Sequence, residues 1–273
     1  MKIIFLIIIV TLFSLGALFL FSRKLLYFPA PVNNERLEYL RTEFKTVEEI
    51  SIPVGKKTIL HGWIIKKDMA HLPIIFYFGG NAEEVSLNLE DYIKKLDANA
   101  VMINYRGYGR STGTPTEENL KSDALVVYDI LAERLGLNPN NAIAWGRSLG
   151  SSMASYLVLE RGLGKLILTC PFDSIEAVAA NYYPSWLVGL VLKDKHRTID
   201  FSSRITAPTL VLASLEDEVI APGNTRNLYE SLACPKELVY IDEAGHNTIS
   251  GFESYYRAIN MFLHSKDPVK EGK

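Results

Sequence analysis

Short, uninterrupted apolar runs recur along this chain, and between them lie stretches whose apolar residues return at helical spacing. Pro73 to Phe78 and Ala100 to Asn104 are two such runs. A strand that is apolar on both sides must be covered on both faces. Between these runs, residues 82–96 read as a helix. Beyond them Leu120, Ala124, Val127, Leu131 and Leu135 keep a helical period until Gly136 ends it. Strands are predicted at 166–169, 209–213 and 237–241, with helices over 224–232 and 252–263. Two further β-type segments, 42–53 and 58–66, precede this series and are joined by a turn at Val54-Gly55-Lys56-Lys57. Strand and helix alternating in this way predict an α/β fold, a mostly parallel central sheet with helices on both faces.

At 273 residues the chain suits one catalytic domain and a short appendage. The appendage is the run from Ile3 to Ser22, almost wholly Ile, Leu, Val and Phe, with Lys2 before it and Arg23-Lys24 after it. About 20 residues at about 1.5 Å each cover the roughly 30 Å of a bilayer core. A cleavable signal peptide has an apolar region of about 7–15 residues that ends in small side chains, whereas this run ends in Leu18-Phe19-Leu20-Phe21. The expectation is an uncleaved single-pass signal anchor over 1–24, with the domain outside the cytoplasm if Lys2 stays inside. Residues 25–41, containing Pro29 and Pro31, are expected to be a tether, 42–265 the catalytic domain and 266–273 a polar tail. Within the domain, 170–208 is too long for a plain connection. Its Tyr182, Tyr183, Trp186, Leu187 and Leu190 suggest a cap over a substrate cleft, the alternative being ordinary helices packed on the sheet. A net charge of −2 without a basic stripe argues against nucleic acid as a partner. The two cysteines, Cys170 and Cys234, make no zinc motif, and neither metal nor cofactor is implied.

The chemistry concentrates in residues 142–161. A short apolar strand leads into Gly146-Arg147-Ser148-Leu149-Gly150, and a helical stretch follows. A serine on a sharp strand-to-helix turn stands clear of the backbone, and small flanking residues permit the strain. The same five-residue pattern occurs at Gly109-Arg110-Ser111-Thr112-Gly113, but there Pro115 follows before a helix can start. Thr114, Pro115 and Glu117 read as the N-cap, first position and capping-box partner of the next helix, so Ser111 is read as a turn residue. A serine hydroxyl needs a base. Of the five histidines, His61 falls inside a strand, His264 at the end of a helix, His71 before a strand and His196 in a polar loop. His246 directly follows the last strand, and loops after parallel strands gather at one edge of the sheet. Asp217 follows another strand and can orient His246, with Glu216 and Glu218 as its neighbours. For the oxyanion of a tetrahedral intermediate, Leu149 supplies one backbone N–H and the loop Gly79-Gly80-Asn81-Ala82 the other, from Asn81 or from its rival Ala82.

The order Ser148, Asp217, His246 is that of α/β-hydrolases, and the whole chain resembles that superfamily in its serine aminopeptidase-like branch. It is similar to single-pass, membrane-anchored alpha/beta-hydrolase domain-containing proteins in Leu25-Leu26-Tyr27-Phe28-Pro29, Phe78-Gly79-Gly80-Asn81-Ala82 and 104–111, and again in 146–150, 217–220 and Gly245-His246-Asn247. Gly79 departs from the pattern, since relatives usually carry histidine there. The resemblance implies an α/β-hydrolase fold with a small cap insert. It also implies a serine hydrolase acting on esters or thioesters, with small-molecule, lipid-like or acylated-protein substrates. The alternatives are an amidase or peptidase of the same fold, or a membrane-tethered scaffold that has lost its chemistry.

Overall fold

In a computed structural model, which describes residues 2–265, the chain opens with helices α1 (Lys2–Leu26) and α2 (Asn34–Glu43). Strands β1 (Val47–Pro53), β2 (Ile59–Ile65) and β3 (Ile74–Phe78) follow, then α3 (Leu89–Lys95), β4 (Asn99–Ile103) and α4 (Glu117–Leu135). After these come β5 (Ala142–Arg147), α5 (Gly150–Arg161), β6 (Lys165–Thr169), α6 (Ile175–Ala180) and α7 (Ser185–Val191). The last elements are β7 (Thr209–Ala213), α8 (Pro222–Ser231), β8 (Lys236–Tyr240) and α9 (Glu253–His264). The polar tail expected at 266–273 lies outside the described residues.

All eight strands form one sheet in the order β1-β2-β4-β3-β5-β6-β7-β8. The pairs β1–β2 and β2–β4 are antiparallel, and every pair from β4 to β8 is parallel. The apolar strands divide their side chains between two cores. Phe76, Phe78, Ala144 and Leu168 pack with Leu120, Val127, Met153 and Leu157 of α4 and α5. Ile75, Tyr77, Trp145 and Ile167 pack with Leu89, Tyr92, Tyr255 and Ile259 of α3 and α9. From β3 the chain moves outward to β4 and then crosses back to β5 on the other side. The crevice above β3 and β5 is thus the switch point, where α/β sheets bind ligands.

Three local expectations are corrected. Residues 25–41 are no tether, because Leu37 and Leu40 of α2 are buried in one core and Tyr27 in the other. Pro29 and Pro31 interrupt the helix between α1 and α2 without freeing the chain, and the Asn33 side chain accepts from Arg36 N at 2.7 Å to start α2. The helix expected over 82–96 begins only at a short 3-10 turn, Val85–Asn88. Ahead of it Ala82 has φ +59°, and the carboxylates of Glu83 and Glu84 are spent on buried hydrogen bonds. Finally, α4 is capped by Thr116, whose side chain accepts from Asn119 N at 3.1 Å, and Thr114 lies outside it. Glu117 does not close a capping box. Its Oε2 accepts instead from the amides of Lys195 and His196, both at 2.9 Å.

Candidate active site

Ser148 lies at the end of β5 with φ +50°, a left-handed conformation that costs a non-glycine residue energy. Its amide donates to Thr169 O at 2.8 Å, which hooks the turn onto β6. A Cβ at Gly146 would sit 2.3 Å from Gly150 O, and one at Gly150 would sit 2.0 Å from Phe78 O. Neither position has room for a side chain, so the two glycines are what let α5 turn back so closely over the sheet.

Two loops bring partners to Ser148 Oγ. His246, in the turn after β8, places Nε2 3.0 Å from it, while its Nδ1 lies 2.8 Å from Asp217 Oδ2. The other Asp217 oxygen, Oδ1, accepts from Val219 N at 2.9 Å and Ile220 N at 2.6 Å. Burial acts to raise the Asp217 carboxyl, but the hydrogen bonds from His246 and these two amides outweigh it and hold it below the usual carboxylate range. An ionised Asp217 selects the tautomer with the proton on Nδ1, which leaves Nε2 free to accept from the serine. Glu218 takes another part, accepting from His246 N at 2.9 Å and so setting the backbone that carries the ring. The Glu216 amide donates to Ser214 Oγ at 2.9 Å, and its carboxylate makes no hydrogen bond or ion pair with His246 among the described residues.

The β3 loop passes directly over the serine, since a Cβ on Gly80 would lie 3.7 Å from Ser148 Cβ. Leu149 precedes the first turn of α5, where helix amides lack intrahelical acceptors. In the facing loop the Ala82 amide donates to Asn81 Oδ1 at 3.1 Å. The Asn81 amide has no acceptor among the described residues and is the freer of the two. The Asn81 side chain is occupied elsewhere. It accepts from Tyr108 OH at 2.8 Å and Phe28 N at 3.1 Å, and donates to Leu26 O.

Sequence reasoning passed over Glu83 and Arg147. Arg147 Nη1 donates to Glu83 Oε2 at 2.8 Å, and its Nη2 donates to His246 O at 3.2 Å and Asn247 Oδ1 at 3.1 Å. Glu83 also accepts from Gly80 N at 2.8 Å, Tyr77 OH at 2.7 Å and Asn88 Nδ2 at 2.6 Å. One partly buried ion pair thus ties the β3 loop, the Ser148 turn and the His246 loop together. The available signal was Arg147 itself, a charge in a turn that packs against a sheet and so needs a partner.

The remaining histidines lie elsewhere. His61 pairs with Glu49 at 2.8 Å, His71 with Asp68 at 2.9 Å, and His264 lies 3.8 Å from Asp97. His196, expected in a polar loop, is fully buried with Nε2 2.9 Å from Tyr27 OH. Ser111 is also buried, donating to Asn104 O and accepting from His61 N, both at 2.9 Å. Cys170, Asp217 and His246 offer ligand-type atoms within 4.8 Å of one another. Burial pushes the Cys170 thiol up, and the Asp217 and His246 atoms of this group are paired with each other at 2.8 Å.

No family model matches the chain. Among curated proteins it is 29% identical to alpha/beta hydrolase domain-containing protein WAV2 of Arabidopsis thaliana, over 92% of this chain and 90% of that protein. It is 30% identical to alpha/beta hydrolase domain-containing protein 17B of Homo sapiens, over 69% of this chain and 65% of that protein. Among solved structures, a Pyrococcus furiosus esterase superposes with a TM-score of 0.69 at 19% identity, covering 86% of this chain and 95% of that one. An acetyl xylan esterase from Paenibacillus sp. R4 gives 0.61 at 16%, covering 84% and 92%. With a switch-point crevice above β3 and β5 and a serine on a strand-to-helix turn, the chain has the α/β-hydrolase fold and is similar to alpha/beta hydrolase domain-containing proteins.

Proposed function

We propose that the protein is a serine hydrolase that cleaves carboxylic esters or thioesters through an acyl-enzyme on Ser148. The observation that carries this reading is His246 bridging Ser148 Oγ and Asp217, at 3.0 and 2.8 Å. Ser148 Oγ attacks the acyl carbon as His246 Nε2 takes its proton, and Asp217 stabilises the resulting imidazolium. The amides of Leu149 and Asn81, with Ala82 as the alternative donor, hold the oxyanion. On collapse, His246 returns the proton to the departing alkoxide or thiolate. A water activated by the same ring then releases the acid and restores Ser148. The chemistry asks nothing of a cofactor. The curated and structural likenesses to hydrolases and esterases favour the same class.

In the same reading α1 anchors the protein in a bilayer, being 25 residues long, apolar and unburied. The domain faces away from the cytoplasm, and residues 170–208 form a cap over the site. A fluorophosphonate probe tests the chemistry on the full chain in detergent. Wild type should be labelled and Ser148→Ala should not. A folded wild type that stays unlabelled beside a labelled control hydrolase overturns the reading. Turnover of matched ester, thioester and amide substrates then assigns the leaving group.

A further inference from the structure

Helix α7 packs on the last turns of α1, and an apolar groove of about 420 Å³ runs between them, lined among others by Leu18, Leu25, Ile175, Leu187 and Val191. The same segment carries Tyr182, Tyr183, Trp186 and Leu190, all exposed, with Tyr183 also lining the groove. No charged residue occurs between Glu176 and Lys193. An exposed apolar patch of this kind marks a surface with a partner. We propose that the partner is the lipid bilayer itself. On this inference, which rests on α1 being a membrane anchor, the 182–190 face sits in the headgroup–acyl boundary of the membrane that α1 crosses.

Depth is the first argument. Leu18 lies four residues before Ser22, the end of the apolar run, so the groove reaches roughly 6 Å below that end. Helices that lie in an interface bury their apolar face by about 5–10 Å. The second argument is composition, because tryptophan and tyrosine favour this boundary with their apolar bodies buried and polar ends wet. The third is the rim. Lys193 Nζ lies 4.3 Å from the Phe19 ring centroid, and Arg23 pairs with Asp194 at 2.9 Å, so cationic side chains border the groove near the end of the apolar run. A second copy of the chain or a protein partner would have no reason to begin where the membrane helix ends.

Trp186 makes the inference measurable, since it is 67% exposed while Trp63 and Trp145 are at 1% and 0%. The full chain is reconstituted into phosphatidylcholine vesicles whose acyl chains carry bromine either near the headgroup or near the bilayer centre. The Trp186 signal is the emission that Trp186→Phe removes. It should lose most of its intensity to the shallow bromines, much less to the deep ones, and little to aqueous iodide. Quenching by iodide with no loss to bromine overturns the inference while leaving the anchor intact. Protection from both quenchers also overturns it, because protein would then cover the face. If the protein does not float with the vesicles, the anchor fails and the inference fails with it.

Discussion

Two serines of this chain sit in the same Gly-x-Ser-x-Gly frame, and their surroundings ask for opposite outcomes on mutation. Ser148→Ala removes the hydroxyl paired with His246 Nε2 and should lower hydrolysis by about 10⁴-fold or more, with little change in the unfolding midpoint. Ser111→Ala leaves a buried His61 N–H and Asn104 O without their partner. It should cost about 1–3 kcal/mol of stability and keep activity within a few-fold. Paired denaturation and turnover measurements on the two variants check this, and a dead Ser111→Ala with an active Ser148→Ala refutes the proposed nucleophile. What could be read at this scale was that Ser148, Asp217 and His246 would meet, because each follows a strand and loops after parallel strands converge. The Glu83–Arg147 pair could not be read. Its members are 64 residues apart, and only the folded switch point makes them neighbours.

At the scale of elements, the strands were legible because burial on both faces demands continuous apolar runs. The segments that went wrong are those where a polar side chain serves a distant element. Glu117 reads from the sequence as the capping-box partner of its own helix but satisfies amides at 195 and 196. Asn33, Leu37 and Leu40 make a helix of what two prolines disguised as a linker. The segment 170–208 is latched in the same way. Tyr27 OH stands between Asp194, at 3.0 Å, and His196 Nε2, at 2.9 Å, while His196 Nδ1 is buried with no partner among the described residues. A proton there would have no acceptor. Burial accordingly pushes the ring down to about 4, against the pull of Glu117 and Asp194, with Lys121 adding to the fall. Folding therefore favours the neutral ring, and the unfolded chain binds more protons between about pH 6.5 and 4. The contribution is complete above pH 6.5 and drains away as pH falls through that window, by up to about 1.4 kcal/mol per pH unit. Denaturant midpoints of wild type and His196→Gln, followed from pH 7 to pH 4.5, should converge if Gln keeps the bond to Tyr27. Parallel midpoints count against the latch.

For the whole molecule, α1 is an apolar helix whose side chains face outward along most of its length, joined to a domain that buries its own core twice over. The full chain should stay with membranes through an alkaline carbonate wash. Recovery in the supernatant, or a mature chain beginning after Ser22, would replace the anchor with a cleaved signal. The junction itself carries a consequence. Leu26 O and Phe28 N are both bonded to Asn81, in the loop that crosses Ser148, and Arg23 is clamped to Asp194. A free leash over 25–41 would let a domain roam about 20 Å from its anchor point. Here there is no slack. With α1 in a bilayer, the crevice rides at a fixed height above the lipid and searches a surface instead of a volume. Reach, as much as chemistry, then selects which molecules it can meet.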